Sequence, residues 1–169
     1  GILLGHDIKT VTANVAALTG SYRDANTLVR SATIAVSNQA RMNTIQANSD
    51  IFSGIEWVST LDYRTSDICM GLDGKKWNLA YQPIAPNTTP YMGNIAHPNC
   101  RSTQLPIVKP FKGLPIDKQD KLLNGGYRTS KGVDGYASFP KSTNYNEWLK
   151  GQPVEEQIDK LGQAKYDLW

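Results

Sequence analysis

The sequence predicts an α+β fold: N-terminal helices including one long amphipathic helix, a small antiparallel sheet with long loops, and short C-terminal helices. Three observations predict it. Apolar residues recur at helical spacing in two segments before residue 48. Short segments rich in strand-forming residues follow at 55–61, 75–77 and 101–108. Two short helical patterns close the chain, at 145–150 and 153–161, and Pro153 suits a first helical turn.

The first helix is predicted from about His6 to Leu18. Asp7 lies near its start, and Gly20 follows as a stop signal. One face of this helix is apolar and carries Ile8, Val11, Val15 and Leu18. A short amphipathic helix of this kind is expected to pack against a neighbouring element.

A longer helix is predicted from about Tyr22 to Asn48. At ~100° per residue, one side carries three aligned arginines, which are Arg23, Arg30 and Arg41. The opposite side is apolar and carries Ala25, Leu28, Val29, Ala32, Ala35, Val36 and Ala40. We therefore expect the apolar side to pack and the arginine side to be free. Ile34 and Ile45 interrupt the polar side and predict a contact with another chain.

Between the predicted strands, Asp73-Gly74 has the composition of a turn, and residues 78–96 read as a Pro- and Asn-rich surface loop. Loops of that length are often interaction elements.

The composition excludes two classes of protein. The chain has 169 residues, a formal net charge of +3 and two cysteines, so a secreted cystine scaffold is excluded. No run approaches the roughly 18 to 20 apolar residues that span a bilayer, so we expect no membrane contact. The chain starts on Gly1, which indicates a processed product or a segment of a longer protein.

Positive charge is concentrated in one stretch. Residues 101–150 carry nine basic and four acidic side chains, whereas residues 1–100 carry seven of each. The same stretch is rich in Pro and Gly, which favours extended chain. We therefore predict three regions: a helical and small-sheet core at 1–108, a basic extended segment at 109–144, and a helical tail at 145–169.

Cys69, His97 and Cys100 are the first candidate site, because thiolate and imidazole are ligands that zinc prefers. Three alternatives stay open: a buried thiol pair with a capped histidine, a Cys69–Cys100 disulfide, and a thiolate nucleophile with His97 as its base. The buried thiol pair is favoured, because a closed zinc site needs four ligands and Ser66, three residues before Cys69, is a poor one. We therefore expect no cofactor, with zinc as the alternative.

Charged residues near these cysteines predict a structural ion-pair cluster. Asp62 with Arg64 and Arg101 would form bidentate pairs that fix the loops to the sheet. The candidate contacts for phosphate groups are the three helix arginines and the basic residues of the extended stretch, namely Lys109, Lys112, Lys118, Lys121, Arg128, Lys131 and Lys141.

Several ordered blocks resemble the C-terminal domain of phage head morphogenesis proteins, the Mu F-type minor capsid family. The first block is Trp57-Val58-Ser59-Thr60-Leu61-Asp62, followed by Arg64-Thr65-Ser66, Cys69 and Asp73-Gly74-Lys75. The second is His97-Pro98-Asn99-Cys100-Arg101-Ser102, and the tail at 145–162 is similar too. The resemblance covers most of residues 25–169.

The resemblance implies a minor structural protein of a tailed-phage head, inside the capsid near the portal, acting in head assembly and in DNA packaging or delivery. Its expected partners are the portal protein, the major capsid protein and, non-specifically, double-stranded phage DNA. Many members carry cysteines at the positions of Ser66 and Ser102, so this sequence departs from them there. Members usually carry a further N-terminal region.

We therefore expect a structural protein of the virion, present in the host cytoplasm during assembly, rather than an enzyme. The structural residues would be Asp62, Arg64, Cys69, Asp73, Gly74, His97, Pro98, Cys100 and Arg101. The alternative is a Cys/His or metal-dependent hydrolase or nuclease delivered with the phage genome.

Overall fold

Helices lie at both ends of the chain and most strands lie between them in the computed structural model, which describes residues 5–110, 118, 126–132 and 135–169. The helices of these residues are α1 Ile8–Thr19, α2 Tyr22–Ala47, α3 Asp67–Leu72, α4 Tyr145–Lys150, α5 Val154–Leu161 and α6 Gln163–Tyr166. The strands are β1 Phe52–Val58, β2 Leu61–Asp62, β3 Lys76–Asn78, β4 Thr103–Val108, β5 Tyr127–Gly132 and β6 Gly135–Pro140. The predicted α+β class is confirmed.

Local capping sets the ends of the first two helices. The Asp7 carboxylate accepts a hydrogen bond from the Thr10 amide at 2.7 Å, which begins α1. Gly20 ends α1 at a φ of 72°, a left-handed conformation that glycine adopts without a Cβ clash. Ser21 then caps α2 by accepting from the Asp24 amide. Because only Gly20 and Ser21 separate the two helices, α1 and α2 fold back on each other as a helical hairpin.

The packed side of α2 changes along its length, which corrects the sequence prediction. Ala25 and Val29 are buried in the half that lies beside α1. Further along, Met42 and Ile45 are buried in the core beneath the first sheet. The helix therefore turns its arginine side, not its predicted apolar side, toward the sheet, and Ile45 packs within its own chain.

The first sheet has the strand order β3-β1-β4, and both pairings are antiparallel. Trp77 lies opposite Ile55 across β1 and β3. The core of this sheet contains α2, α3 and loop residues, and its buried members are Met42, Ile45, Ile55, Trp57, Cys69, Leu72, Trp77 and Cys100. Both cysteines therefore belong to the core that contains the buried residues of β1.

A second sheet has the order β2-β5-β6 and was not predicted. Its β5–β6 hairpin lies inside the segment 109–144 that the sequence indicated as extended, while β2 pairs with β5 in parallel. A separate core packs near this sheet and the C-terminal helices, with Leu61, Tyr145, Trp148 and Leu149 buried. The division of the chain into three regions stays a prediction.

The loop at 79–96 is held against the first core by aromatic side chains. The Trp77 indole donates to the Thr89 carbonyl at 2.8 Å, and the Tyr81 and Tyr91 rings stack with centroids 4.6 Å apart. In the described residues, no helix has both the length and the apolar character that crossing a bilayer requires.

Gly54 should tolerate no side chain, because β3 approaches its backbone closely. A Cβ at this position would lie 2.3 Å from the Trp77 carbonyl oxygen. We expect Gly54→Ala to lower the free energy of unfolding by about 2 kcal/mol, since the strand backbones must move apart. Urea denaturation followed by tryptophan fluorescence measures this.

The matched control is Gly71→Ala in α3, where a Cβ meets nothing within 4 Å. Because alanine is the better helix former, this variant should be more stable than wild type by up to about 1 kcal/mol. A Gly54→Ala protein as stable as wild type would contradict the close approach of β1 and β3.

Candidate functional site

The structure brings Cys69, His97 and Cys100 together, although 27 residues of chain separate the first two. Their ligand atoms all lie within 4.8 Å of one another. The two Sγ atoms are 3.7 Å apart, and Cys69 Sγ is 3.1 Å from His97 Nε2. Both thiols are free, with Cys69 2% and Cys100 1% exposed. The result is a compact, buried cluster of two sulfurs and one imidazole nitrogen.

A short helix positions Cys69. Ser66 is the N-cap of α3, and its hydroxyl accepts from the Cys69 amide at 3.2 Å. The Ser59 hydroxyl donates to the Cys69 carbonyl at 2.7 Å. Cys69 is therefore fixed from both sides of its backbone, and its side chain faces the core of the first sheet.

A turn anchored on α2 positions the other two members. The Cys100 amide donates to the His97 carbonyl at 3.1 Å. Asn99 sits in the turn at a φ of 58°, a left-handed conformation that asparagine tolerates. Its amide donates to the Ser31 hydroxyl at 2.8 Å, and its side chain donates to Thr27. The histidine and second cysteine are thus tied to the long helix.

The orientation of the His97 ring follows from one hydrogen bond. Nδ1 lies 2.8 Å from the Pro98 carbonyl oxygen, which can only accept. Nδ1 therefore carries the proton, and Nε2 presents its lone pair to the Ser66 hydroxyl at 2.8 Å and to Cys69. This neutral tautomer is the one that binds metals through Nε2.

The two thiols differ in acidity. The hydrogen bond from Cys69 lowers the pKa of Cys100; burial opposes this shift, and backbone groups of Ala96 and Ser102 add to it. The same contact and burial raise the pKa of Cys69. The two thiols therefore ionise as a coupled pair rather than independently.

Little space adjoins the cluster. A cavity of about 20 Å³ opens beside it, lined by Thr60, Arg64, Thr65, Ser66, Cys69, His97, Asn99, Arg101 and Ser102. That volume holds about one water molecule. A Cys–His pair lies in contact, as the nucleophile hypothesis requires, but the cavity is too small for a substrate.

A larger open cleft of about 580 Å³ lies elsewhere on the surface. The described residues that line it are Glu56, Asp73, Gly74, Lys75, Lys76, Ile84, Ala85, Pro86, Asn87, Lys141, Ser142 and Asn144. This lining contains neither cysteine nor histidine, so the cleft and the Cys/His cluster do not form one site.

Asp62 and Arg101 form a bidentate ion pair beside the cluster. The two guanidinium nitrogens donate to the carboxylate at 2.5 and 2.7 Å. Burial alone would raise the pKa of Asp62, but the hydrogen bonds and charge of Arg101 outweigh it and hold the pKa below its usual value. Arg64 contributes its backbone amide at 3.0 Å, while its side chain is 79% exposed. Arg101, rather than Arg64, therefore provides the guanidinium that forms the bidentate pair with Asp62.

Asp73 is the centre of a second ion-pair cluster, and it corrects the prediction for Arg128. The Arg128 guanidinium donates to both Asp73 oxygens at 2.9 and 3.0 Å, and also to the Ser59 and Thr143 carbonyls. The side chains of Arg128 and Asp73 are only 10% and 1% exposed. Arg128 therefore holds parts of the fold together, and its guanidinium is not free to bind a phosphate group. Gly74, at a φ of 76°, completes the predicted turn.

The arginine stripe on α2 is divided by the packing. Arg23 and Arg30 are exposed. Arg41 instead donates to the Thr103 hydroxyl at 2.6 Å and to the Gln104 carbonyl at 3.3 Å, which ties α2 to β4. The prediction that all three arginines face a partner is corrected at Arg41.

The predicted lysine contacts are mostly on the surface. Lys109, Lys118 and Lys131 are exposed. The Lys109 ammonium donates to the Ser49 carbonyl at 2.7 Å, and the Lys131 ammonium lies 5.6 Å from the centre of a tyrosine ring. Two predicted contact residues lie outside the described residues, namely Lys112 and Lys121.

Comparison with known proteins gives one family. The model of the family described as "Phage Mu protein F like protein" matches residues 1–105. The match includes α1 to β3, the first half of β4 and the Cys/His cluster, and it ends before the β5–β6 hairpin and the C-terminal helices. No curated protein and no solved structure matches the chain.

Asp62→Asn should destabilise the protein, because it leaves the half-buried Arg101 guanidinium without its counter-charge. We expect a loss of about 3 kcal/mol in the free energy of unfolding at pH 7. Because the folded-state pKa of Asp62 is depressed, its contribution is present above the ordinary carboxyl pKa and is lost as the pH falls through the folded-state value. Wild type should therefore lose more stability than the variant on acidification, as urea denaturation at several pH values can measure.

Asp67→Asn is the matched control in the same block. Asp67 is an exposed partner of Lys165, 2.7 Å away. Exposed ion pairs contribute little, so this variant should differ from wild type by less than about 1 kcal/mol. Equal losses in the two variants would contradict a special role for the Asp62–Arg101 pair.

Proposed function

Since the chain belongs to the phage Mu protein F-like family, and is therefore a phage head morphogenesis protein, we propose that it is a minor structural protein located inside the head near the portal. Its role there is head assembly, with DNA packaging or delivery as the linked step. The observation that carries this proposal is the family match over residues 1–105, which includes the complete helical hairpin and the first sheet except the end of β4.

The surface proposed to contact the portal protein is the outer apolar surface, defined as Leu18, Tyr22, Leu28 and Val36 on the helical hairpin. These side chains are between 58% and 88% exposed. Large apolar side chains grouped on one exposed element are typical of protein–protein contacts.

Arg23 and Arg30 are the proposed DNA contacts of the hairpin. Both are exposed on α2, and at ~100° per residue they point away from Leu28 and Val36. Arginines on one helix face can follow a phosphate backbone without reading bases. In this arrangement one side of the hairpin binds protein and the other binds packaged DNA. The major capsid protein is the further head component proposed to border this position.

The competing function is a Cys/His or metal-dependent hydrolase or nuclease. The 3.1 Å contact between Cys69 and His97 is in its favour. Against it, both thiols are buried and the adjoining cavity accepts only about one water molecule. We therefore propose a structural protein without enzymatic activity.

Substitution of the outer apolar surface should weaken binding to the portal protein while it leaves binding to DNA almost unchanged. The double variant Leu28→Asp with Val36→Asp should bind the purified portal ring of the same phage at least tenfold more weakly, because charges replace apolar contact area. Biolayer interferometry with immobilised portal measures the affinity. Its binding to double-stranded DNA should fall only slightly, from the added negative charge.

The matched control is the double variant Arg23→Gln with Arg30→Gln. It should keep its portal affinity, weaken DNA binding, and reduce the slope of log K against log salt by roughly 1.8, or 0.9 for each lost phosphate contact. Circular dichroism establishes that both proteins are folded. A wild-type chain that binds no portal, or an apolar-surface variant that binds it as tightly as wild type, would contradict the proposed contact.

A further inference from the structure

The spacing of the two sulfur atoms in the Cys/His cluster fits a zinc site. Two Zn–S bonds of about 2.3 Å at a tetrahedral angle place their sulfur atoms about 3.8 Å apart. Cys69 Sγ and Cys100 Sγ are 3.7 Å apart. Since both cysteines are held by backbone hydrogen bonds in α3 and in the 97–100 turn, this spacing is a property of the fold.

The His97 imidazole is oriented toward the position that a zinc ion between the two sulfur atoms would occupy. The Pro98 carbonyl fixes the proton on His97 Nδ1, so the lone pair of Nε2 faces the sulfurs. A carbonyl that orients a ligating histidine through its second nitrogen is a recurrent feature of protein zinc sites. Together with two thiolates, this donor set selects zinc over magnesium or calcium, which prefer oxygen ligands.

We propose that Cys69, His97 and Cys100 bind one zinc ion, and that a water molecule in the adjoining cavity is the fourth ligand. The cavity beside the cluster has the volume of about one water. Ser66 lies at its wall with its hydroxyl 2.8 Å from His97 Nε2. That hydroxyl already accepts from the Cys69 amide as the cap of α3, so it is left to hydrogen-bond the water rather than replace it.

The charges balance in such a site. Both thiols lose their protons to solvent on binding, and the two thiolates neutralise Zn²⁺. His97 stays neutral, and its Nδ1–H donates to the Pro98 carbonyl oxygen. A neutral complex suits a position where the two sulfurs are almost fully buried. The ion would join α3 to the 97–100 turn, and through Asn99 to α2. This inference does not depend on the proposed role in the head.

The test uses the full chain, reduced and stripped of metal, with Co²⁺ as a spectroscopic probe and Zn²⁺ as its competitor. One equivalent of Co²⁺ should produce the visible bands of a tetrahedral ion and a near-ultraviolet thiolate charge-transfer band, and Zn²⁺ should abolish both. Zinc should also raise the melting temperature. Cys100→Ser should weaken binding at least about a hundredfold, whereas His6→Ala, which changes the exposed histidine outside the cluster, should leave it unchanged.

Ser66→Cys tests the open fourth position without removing any ligand. A third thiolate should displace the water, tighten Co²⁺ binding at least tenfold and strengthen the charge-transfer band. A wild-type protein that gives no thiolate band, or a Cys100→Ser variant that binds as wild type does, would overturn the zinc site. So would a Cys69–Cys100 disulfide in a protein whose reduced form binds no metal. A Ser66→Cys protein with unchanged affinity would overturn the assignment of the fourth ligand.

Discussion

One buried carboxylate, that of Asp73, joins the two halves of the molecule. It accepts hydrogen bonds from the Ser59 amide at 2.6 Å, from the Tyr145 amide at 2.7 Å and from both terminal nitrogens of Arg128. These donors belong to the β1–β2 connection, the start of α4 and strand β5. A carboxylate removed from water is costly unless its oxygens are fully satisfied. The second sheet and the C-terminal helices therefore depend on the position of this one side chain.

The short helix α3 carries this constraint to the Cys/His cluster. Ser66 begins the helix beside His97, and Asp73 follows its last residue. Ser59 contacts both regions, since its amide donates to Asp73 and its hydroxyl donates to the Cys69 carbonyl. A displacement of α3 would therefore alter the candidate metal site and the ion pair of Arg128 together. The part of the chain that the family match covers is fixed to the part that it does not.

Elements whose signals are local were predictable from the sequence. Asp7 and Gly20 predicted the bounds of α1 to within two residues, and the predicted bounds of α2 differ from the observed ones by one residue. The helix face was not predictable, because both sides of α2 carry apolar residues and only tertiary packing decides which one meets the sheet. Helix α3 was missed because six residues show no periodicity; its one signal was a helix N-cap residue at Ser66.

The residues of the candidate site could be predicted from the sequence, but the contacts of the charged residues around it could not. Cys69, His97 and Cys100 were chosen from ligand chemistry, and the fold brings them within 4.8 Å. Arg128 was assigned to phosphate contact because a basic stretch does not reveal that its partner carboxylate lies 55 residues earlier. The β5–β6 hairpin was missed for a related reason: its Gly-rich sequence favours loops, and its pairing with β2 joins residues far apart in the chain.

The claim that this chain is a minor component of the phage head is tested most directly by quantitative mass spectrometry of purified particles of the phage that encodes it. The account predicts that the chain is present in the particles, in a low and fixed molar ratio to the portal subunit and far below the major capsid protein. Absence of the chain from mature particles, while it is found free in infected cells, would contradict the account.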